Sequence, residues 1–142
     1  MNMSVKVRLA KPQDMPAVLN LIKALAVFEK APEAVAITVT ELQEEGFGAN
    51  PLFKCFVAER DREILGMALV YFRFSTWKGR SVHLEDLIVK EEARKQGIGS
   101  LLFDTVMAYA QTQKVRVQEL QRSEGSVGSI CFSRRRRKHK PM

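Results

Sequence analysis

Arg94-Lys95-Gln96-Gly97-Ile98-Gly99-Ser100 joins two neighbouring cations to two closely spaced glycines, immediately ahead of an apolar helical pattern. Glycines in such a turn let the main chain approach a ligand closely, and the N–H groups at a helix start point at an anion. Arg94 and Lys95 add fixed positive charge. A diphosphate, with several oxygens to satisfy, suits this arrangement best. The plainer reading is a solvated basic turn in which Gly97 and Gly99 only begin a helix. A nucleotide P-loop is excluded because no Gly-Lys-Ser/Thr follows, and a dinucleotide fingerprint because the third glycine is missing.

A carboxylate that strips a proton from a nucleophile is the second kind of chemistry on offer. Glu85 and Asp86 are adjacent in SVHLEDLIVK, residues 81 to 90. Regular strand geometry sends neighbours to opposite faces, so the two acids should not aim at one atom. One of them can equally be a solvated edge carboxylate. His83 stands one position off this pair and reads as a surface strand residue.

These groups need elements to hold them. VKVRL at 5 to 9 alternates as a half-buried strand. Met15, Val18, Leu19, Ile22, Leu25 and Ala26 form one stripe of a helix from about Pro12 to Glu29. Thr38 and Glu41 have capping-box spacing before a short helix ending near Phe47. LFKCFVAE and ILGMALVYFRF read as a hairpin across Arg60-Asp61-Arg62-Glu63, with Gly66 a candidate bulge. Residues 81 to 90 are apolar enough for a central strand, and a helix continues to about Gln113 through Leu101, Leu102, Val106, Met107 and Tyr109. VRVQEL at 115 to 120 is the last strand. The expected class is α/β, an α+β mixed sheet.

The 142 residues fit one domain with a single core. With 46% hydrophobic and 27% charged residues and no long apolar run, neither a membrane span nor a signal peptide is expected, which makes the cytoplasm the default. Two cysteines in dissimilar contexts make no disulfide framework, and Cys55 reads as core. Of the net charge of +7, six come from Arg134 to Arg137, Lys138 and Lys140, so the body is nearly neutral. No nucleic-acid-reading motif accompanies that run, so neither nucleic acid nor membrane is an expected partner. Residues 122–142, rich in Ser, Gly and then Arg, read as a poorly ordered basic tail outside a 1–121 domain.

The R-x-x-G-x-G turn after an apolar strand resembles the coenzyme A signature of the GNAT superfamily. The chain is similar, more narrowly, to the diamine (spermidine/spermine) acetyltransferase family. Matching words are VRLAKPQDMPAVLNLIKALAVFEK, ELQEEGFGANPLFKCFVAE, FSTWKG, LEDLIV and RKQGIGSLL, in family order across residues 5 to 120. The resemblance implies a GNAT-like acyl-CoA N-acyltransferase fold, acetyl-CoA as cosubstrate without a metal, and a small-molecule amine as acceptor. It implies that the backbone around Leu87, Ile88 and Val89 pairs with the pantetheine arm. Arg94, Lys95, Gln96, Gly97, Ile98, Gly99 and Ser100 would hold the pyrophosphate. Glu85 would be the water-linked base, Asp86 a substrate-side acid, Trp77 part of the amine channel, and Glu29 a carboxylate near the amine. A homodimer is expected as well.

Two departures qualify the resemblance. Ser75-Thr76-Trp77 lacks the acid that the diamine enzymes place before this tryptophan, so a small diamine or aminoalkyl amino acid fits at least as well as a polyamine. After Leu120 the family continues with a strand, a helix bearing N-x-x-A-x-x-F-Y, and a final strand. Its tyrosine protonates the departing thiolate, and neither Tyr71 nor Tyr109 lies in such a word. A shifted reading frame near codon 120 is the expected origin of that ending. The alternative function is therefore an acetyl-CoA-binding protein with little or no catalysis.

Overall fold

A sheet covered by helices on both sides explains why the middle of the chain is apolar without a break. In this computed structural model, residues 4–113 and the segments 116–118, 120–122 and 132–134 are described. The order is β1 (Lys6–Leu9), α1 (Met15–Phe28), α2 (Val39–Phe47), β2 (Lys54–Arg60), β3 (Glu63–Ser75), β4 (Gly79–Val89), α3 (Ile98–Thr112), then β5 (Arg116–Gln118), β6 (Leu120–Arg122) and β7 (Phe132–Arg134). Strands β1-β2-β3-β4-β5 form one sheet, antiparallel except for the parallel β4–β5 pair, and β6–β7 form a small second one. Among the described residues no helix follows α3. The tail expected to be poorly ordered falls mostly outside the described residues.

Helix α1 buries Met15, Val18, Leu19, Leu21 and Leu25 against one face of the sheet, where Cys55, Val57, Met67, Leu69 and Ile88 meet it. Helix α3 buries Ile98, Leu102, Val106 and Ala110, four-residue steps that give one straight stripe. That stripe covers the other face, through Ala68, Val70, Leu84, Leu87 and Val89. Strand β3 is thus buried on both sides from Ile64 to Val70. A Cβ on Gly66 would lie 2.9 Å from the Ile88 carbonyl oxygen and 3.2 Å from Leu102 Cδ1, so glycine is needed there for close packing. The expected bulge falls beside it, where β2 and β3 change register between Ala58 and Glu59.

Turn chemistry fixes the rest. Asp61 and Arg62 take φ of 54° and 68°, the two left-handed positions of a tight hairpin turn. Thr38 Oγ1 accepts from the Glu41 N–H at 3.1 Å and Glu41 Oε1 accepts from the Thr38 N–H at 3.0 Å, forming the anticipated capping box. The entry to α1 is pinned by Arg8, which donates to both Asp14 oxygens at 2.8 and 3.1 Å and to Glu59 Oε1 at 2.8 Å. The Arg8 hydrogen bond holds the Asp14 carboxyl below the ordinary carboxylate range. A depressed carboxyl adds stability above its unfolded pKa and loses it as pH falls through the folded value. Thermal stability is expected to decline as pH falls below about 4, and Asp14→Asn to flatten that decline in melting curves.

Candidate active site

β4 carries the expected acids on one face, and along part of one edge its main chain pairs with no described strand. β5 pairs with it only at Ser81, Val82 and His83. From Leu84 to Val89 no described strand pairs with that edge. The Lys90 N–H donates to the Leu65 carbonyl at 2.8 Å, and the Ile88 carbonyl likewise faces β3. Strand alternation therefore turns the N–H and C=O groups of Leu87 and Val89 to the open edge. Of the three residues expected to offer main chain to a ligand, Ile88 does not.

Beyond β4 the chain makes a short turn and enters α3. Lys95 and Gly97 adopt positive φ, 67° and 81°, and Gly97 caps the helix without any side-chain hydrogen bond. The first intrahelical bond, Leu101 N–H to Gly97 O, leaves the amides of Ile98, Gly99 and Ser100 with no intrahelical acceptor. No acidic side chain occupies this first turn. Arg94 Nε is buried without a hydrogen-bond partner, and Gln96 Oε1 is fixed by Arg60 Nη1 at 2.9 Å. A buried guanidinium nitrogen with no described acceptor, four residues ahead of three amides without an intrahelical acceptor, leaves this stretch with unmet demand for oxygens. It fits a diphosphate.

The acids differ from expectation. Leu69 pairs with Asp86 and Val70 with Leu84, so Glu85 is an extra residue that bulges out of β4. The bulge reverses the alternation: Val82 and Leu84 face α3, and after it so do Leu87 and Val89. Glu85 and Asp86 consequently share the α1 face with His83 and Ile88, rather than pointing apart. Tyr71 Oη donates to Glu85 Oε1 at 3.4 Å, and His83 Nε2 lies 3.6 Å from the same oxygen. His83 is largely buried, with its ring 4.8 Å from that of Tyr71, which corrects its reading as a surface residue. Its signal was present in the apolar spacing V-x-L-x-x-L-x-V, which no unbroken strand could bury on one side.

Beside Tyr71 a cavity of about 390 Å³ opens between aromatic walls that include Phe47, Phe53, Phe72 and Tyr109. Lys54, 5.7 Å from the Tyr109 ring, is its one charged lining residue among those described. Cys55 also lines it, but burial pushes its thiol well up, so it is no nucleophile. Glu29 caps α1 at the exposed end, beyond Phe28. Trp77 is 90% exposed at the tip of the β3–β4 ribbon, about 20 Å along the strand from Glu85. Among the described residues no group of His, Cys, Asp and Glu is placed to hold a metal ion, and no helix is long and apolar enough to cross a membrane.

The family model described as Acetyltransferase (GNAT) family matches residues 17–135. Thialysine N-epsilon-acetyltransferase of Sus scrofa is 42% identical over 115 residues, spanning 75% of this chain and 68% of the relative. Spermidine/spermine N(1)-acetyltransferase-like protein 1 of Homo sapiens is 37% identical over 102 residues, 67% of this chain but 15% of that protein. An aminoglycoside acetyltransferase from an uncultured soil metagenomic sample, solved with sisomicin, superposes with a TM-score of 0.65 at 20% identity, over 80% of this chain and 74% of that one. A ribosomal-protein-alanine N-acetyltransferase from Brucella melitensis biovar Abortus 2308 gives 0.63 at 16%, over 80% and 77%. At such identities the structural likeness is one of fold.

Proposed function

This chain belongs to the GNAT acetyltransferase family, and from that premise we propose how its residues divide the work. It is an N-acetyltransferase acting on the primary amine of a small molecule. Bound acetyl-CoA supplies an acetyl group activated as a thioester. Leu87 and Val89 offer main-chain hydrogen bonds to the pantetheine arm, and the Leu87 N–H stabilises negative charge on the thioester carbonyl. The amides of Ile98, Gly99 and Ser100, with Arg94 and Lys95, receive the pyrophosphate, and Gln96 steadies the turn. Glu85 accepts the amine proton directly or through water, with Asp86 on the substrate side.

The aromatic cavity beside Tyr71 is the route to Glu85 for the amine. Its single cation, Lys54, suits an amine whose far end is a carboxylate better than one ending in a second ammonium. An aminoalkyl amino acid such as thialysine is thus preferred to a polyamine. Glu29 stands at the helix end as an outer carboxylate. Trp77 lies too far from Glu85 to line the same protomer's amine site, so a role there requires a second copy, and a cytoplasmic homodimer is the proposed form.

The single observation that carries this reading is a β4 edge paired by no described strand beyond His83, followed by Arg94, whose Nε is buried without a described hydrogen-bond partner, and an α3 start without a side-chain cap. Acetyl-CoA is expected to raise the melting temperature of the full chain, and Arg94→Ala to weaken its binding about tenfold or more. Coenzyme A thiol release should then be faster with thialysine than with spermidine. An unmoved melting curve overturns the reading. Binding without thiol release from any amine favours the second reading, a carrier-binding protein without turnover.

A further inference from the structure

The roles above leave the partners of Glu85 without a task. Both Tyr71 Oη, at 3.4 Å, and His83 Nε2, at 3.6 Å, address Glu85 Oε1, which leaves Oε2 for the amine or its water. The imidazole is tilted 40° against the Tyr71 ring and is 12% exposed, whereas Glu85 is 51% exposed. Two-residue alternation puts Glu85 on the face that His83 occupies, opposite Tyr71 across the β3–β4 pair, and the bulge adds Asp86 to that same face. The titratable groups described on this face around His83 are Tyr71 on β3 and Glu85 and Asp86 on β4; β5 runs on the other side, with Gln118 opposite His83.

We propose that His83 is a proton relay for the acceptor site, taking from Glu85 the proton that Glu85 removes from the substrate ammonium. The inference rests on Glu85 being the base. The ammonium N–H bond breaks and an O–H bond forms on Glu85; that proton passes to His83 Nε2, giving imidazolium and restoring the carboxylate. Imidazolium then releases the proton to water and returns to neutral; the amine lone pair forms the C–N bond at the thioester carbonyl carbon, the C–S bond breaks, and the nitrogen's surplus proton passes through water to the departing thiolate. No electron acceptor or second reactant is needed. A carboxylate alone is a weak base for an ammonium, and an imidazole within reach matches the proton's destination to neutral pH. Tyr71 orients the carboxylate through its hydroxyl and the imidazole through ring contact, so it and His83 are positioning residues that act through Glu85.

His83→Phe keeps a ring against Tyr71 and removes both nitrogens. It is expected to lower kcat about tenfold or more, leave KM for acetyl-CoA unchanged and erase the acid limb of the kcat profile that follows imidazole ionisation. A variant with the parent's kcat and pH profile overturns the proposal. Because the sequence holds two histidines, His83 and His139, the His83 imidazole can be followed directly by NMR in the unliganded full chain. Glu85→Gln, at a half-exposed position, should move its midpoint to lower pH by removing the neighbouring carboxylate; an unmoved midpoint also overturns the relay. That measurement needs no turnover, so a chain that fails to acetylate any amine counts against the enzymatic reading without bearing on the contact between His83 and Glu85.

Discussion

Glu85→Gln is expected to slow amine acetylation by about 100-fold or more while leaving acetyl-CoA affinity unaltered. The amide keeps the size of the carboxylate and can still accept from Tyr71 Oη, so the bulge and the ring pair are preserved. Only the capacity to take a proton is lost. Single-turnover thiol release at saturating amine isolates that step, and isothermal titration with acetyl-CoA checks the other half of the expectation. Equal losses in both would move Glu85 from proton transfer to cosubstrate binding.

Leu102→Ala is expected to destabilise the fold by about 2–5 kcal/mol, a loss of roughly 10 °C in melting temperature for a domain of this size. Leu102 is fully buried in the middle of the α3 stripe and reaches the glycine gap of β3. Removing it takes apolar area from the core and leaves a hole that Gly66, which has no side chain, cannot fill. Adding Gly66→Ala does not rescue the variant, because the new methyl would still meet the Ile88 carbonyl oxygen at 2.9 Å. Urea unfolding of the single and double variants measures both statements.

The elements were legible where one periodicity ruled a segment. Helix α1, with its apolar stripe, and α2, with Thr38 and Glu41, appear where spacing placed them. The β2–β3 hairpin turns at Asp61 and Arg62, within the charged tetrapeptide that separated the two apolar runs. The turn at Lys95 and Gly97 into α3 was legible too, because glycines, cations and a following helix stand together in sequence. What could not be read was Glu85 and Asp86 as a pair. Strict alternation sends them apart, and a single inserted residue, fixed by the Leu69 and Val70 pairing across the sheet, brings them together. His83 shares a face with Glu85 by ordinary alternation, and what its local spacing could not disclose was the Tyr71 ring across the sheet, 4.8 Å from the imidazole. Trp77 shows the converse, a residue singled out by its word that the fold sets at an exposed tip.

The split of β4 into a bare edge and a decorated face has an evolutionary reading. An edge that bonds through peptide groups is indifferent to which side chains the strand carries, so, on the proposed division of roles, any sequence able to keep the core would keep its grip on the acyl donor. The face that holds Tyr71, His83, Glu85 and Asp86 depends wholly on side chains. If the roles proposed above hold, acceptor preference can drift by single substitutions on that face, one residue at a time, under an unchanging donor clamp.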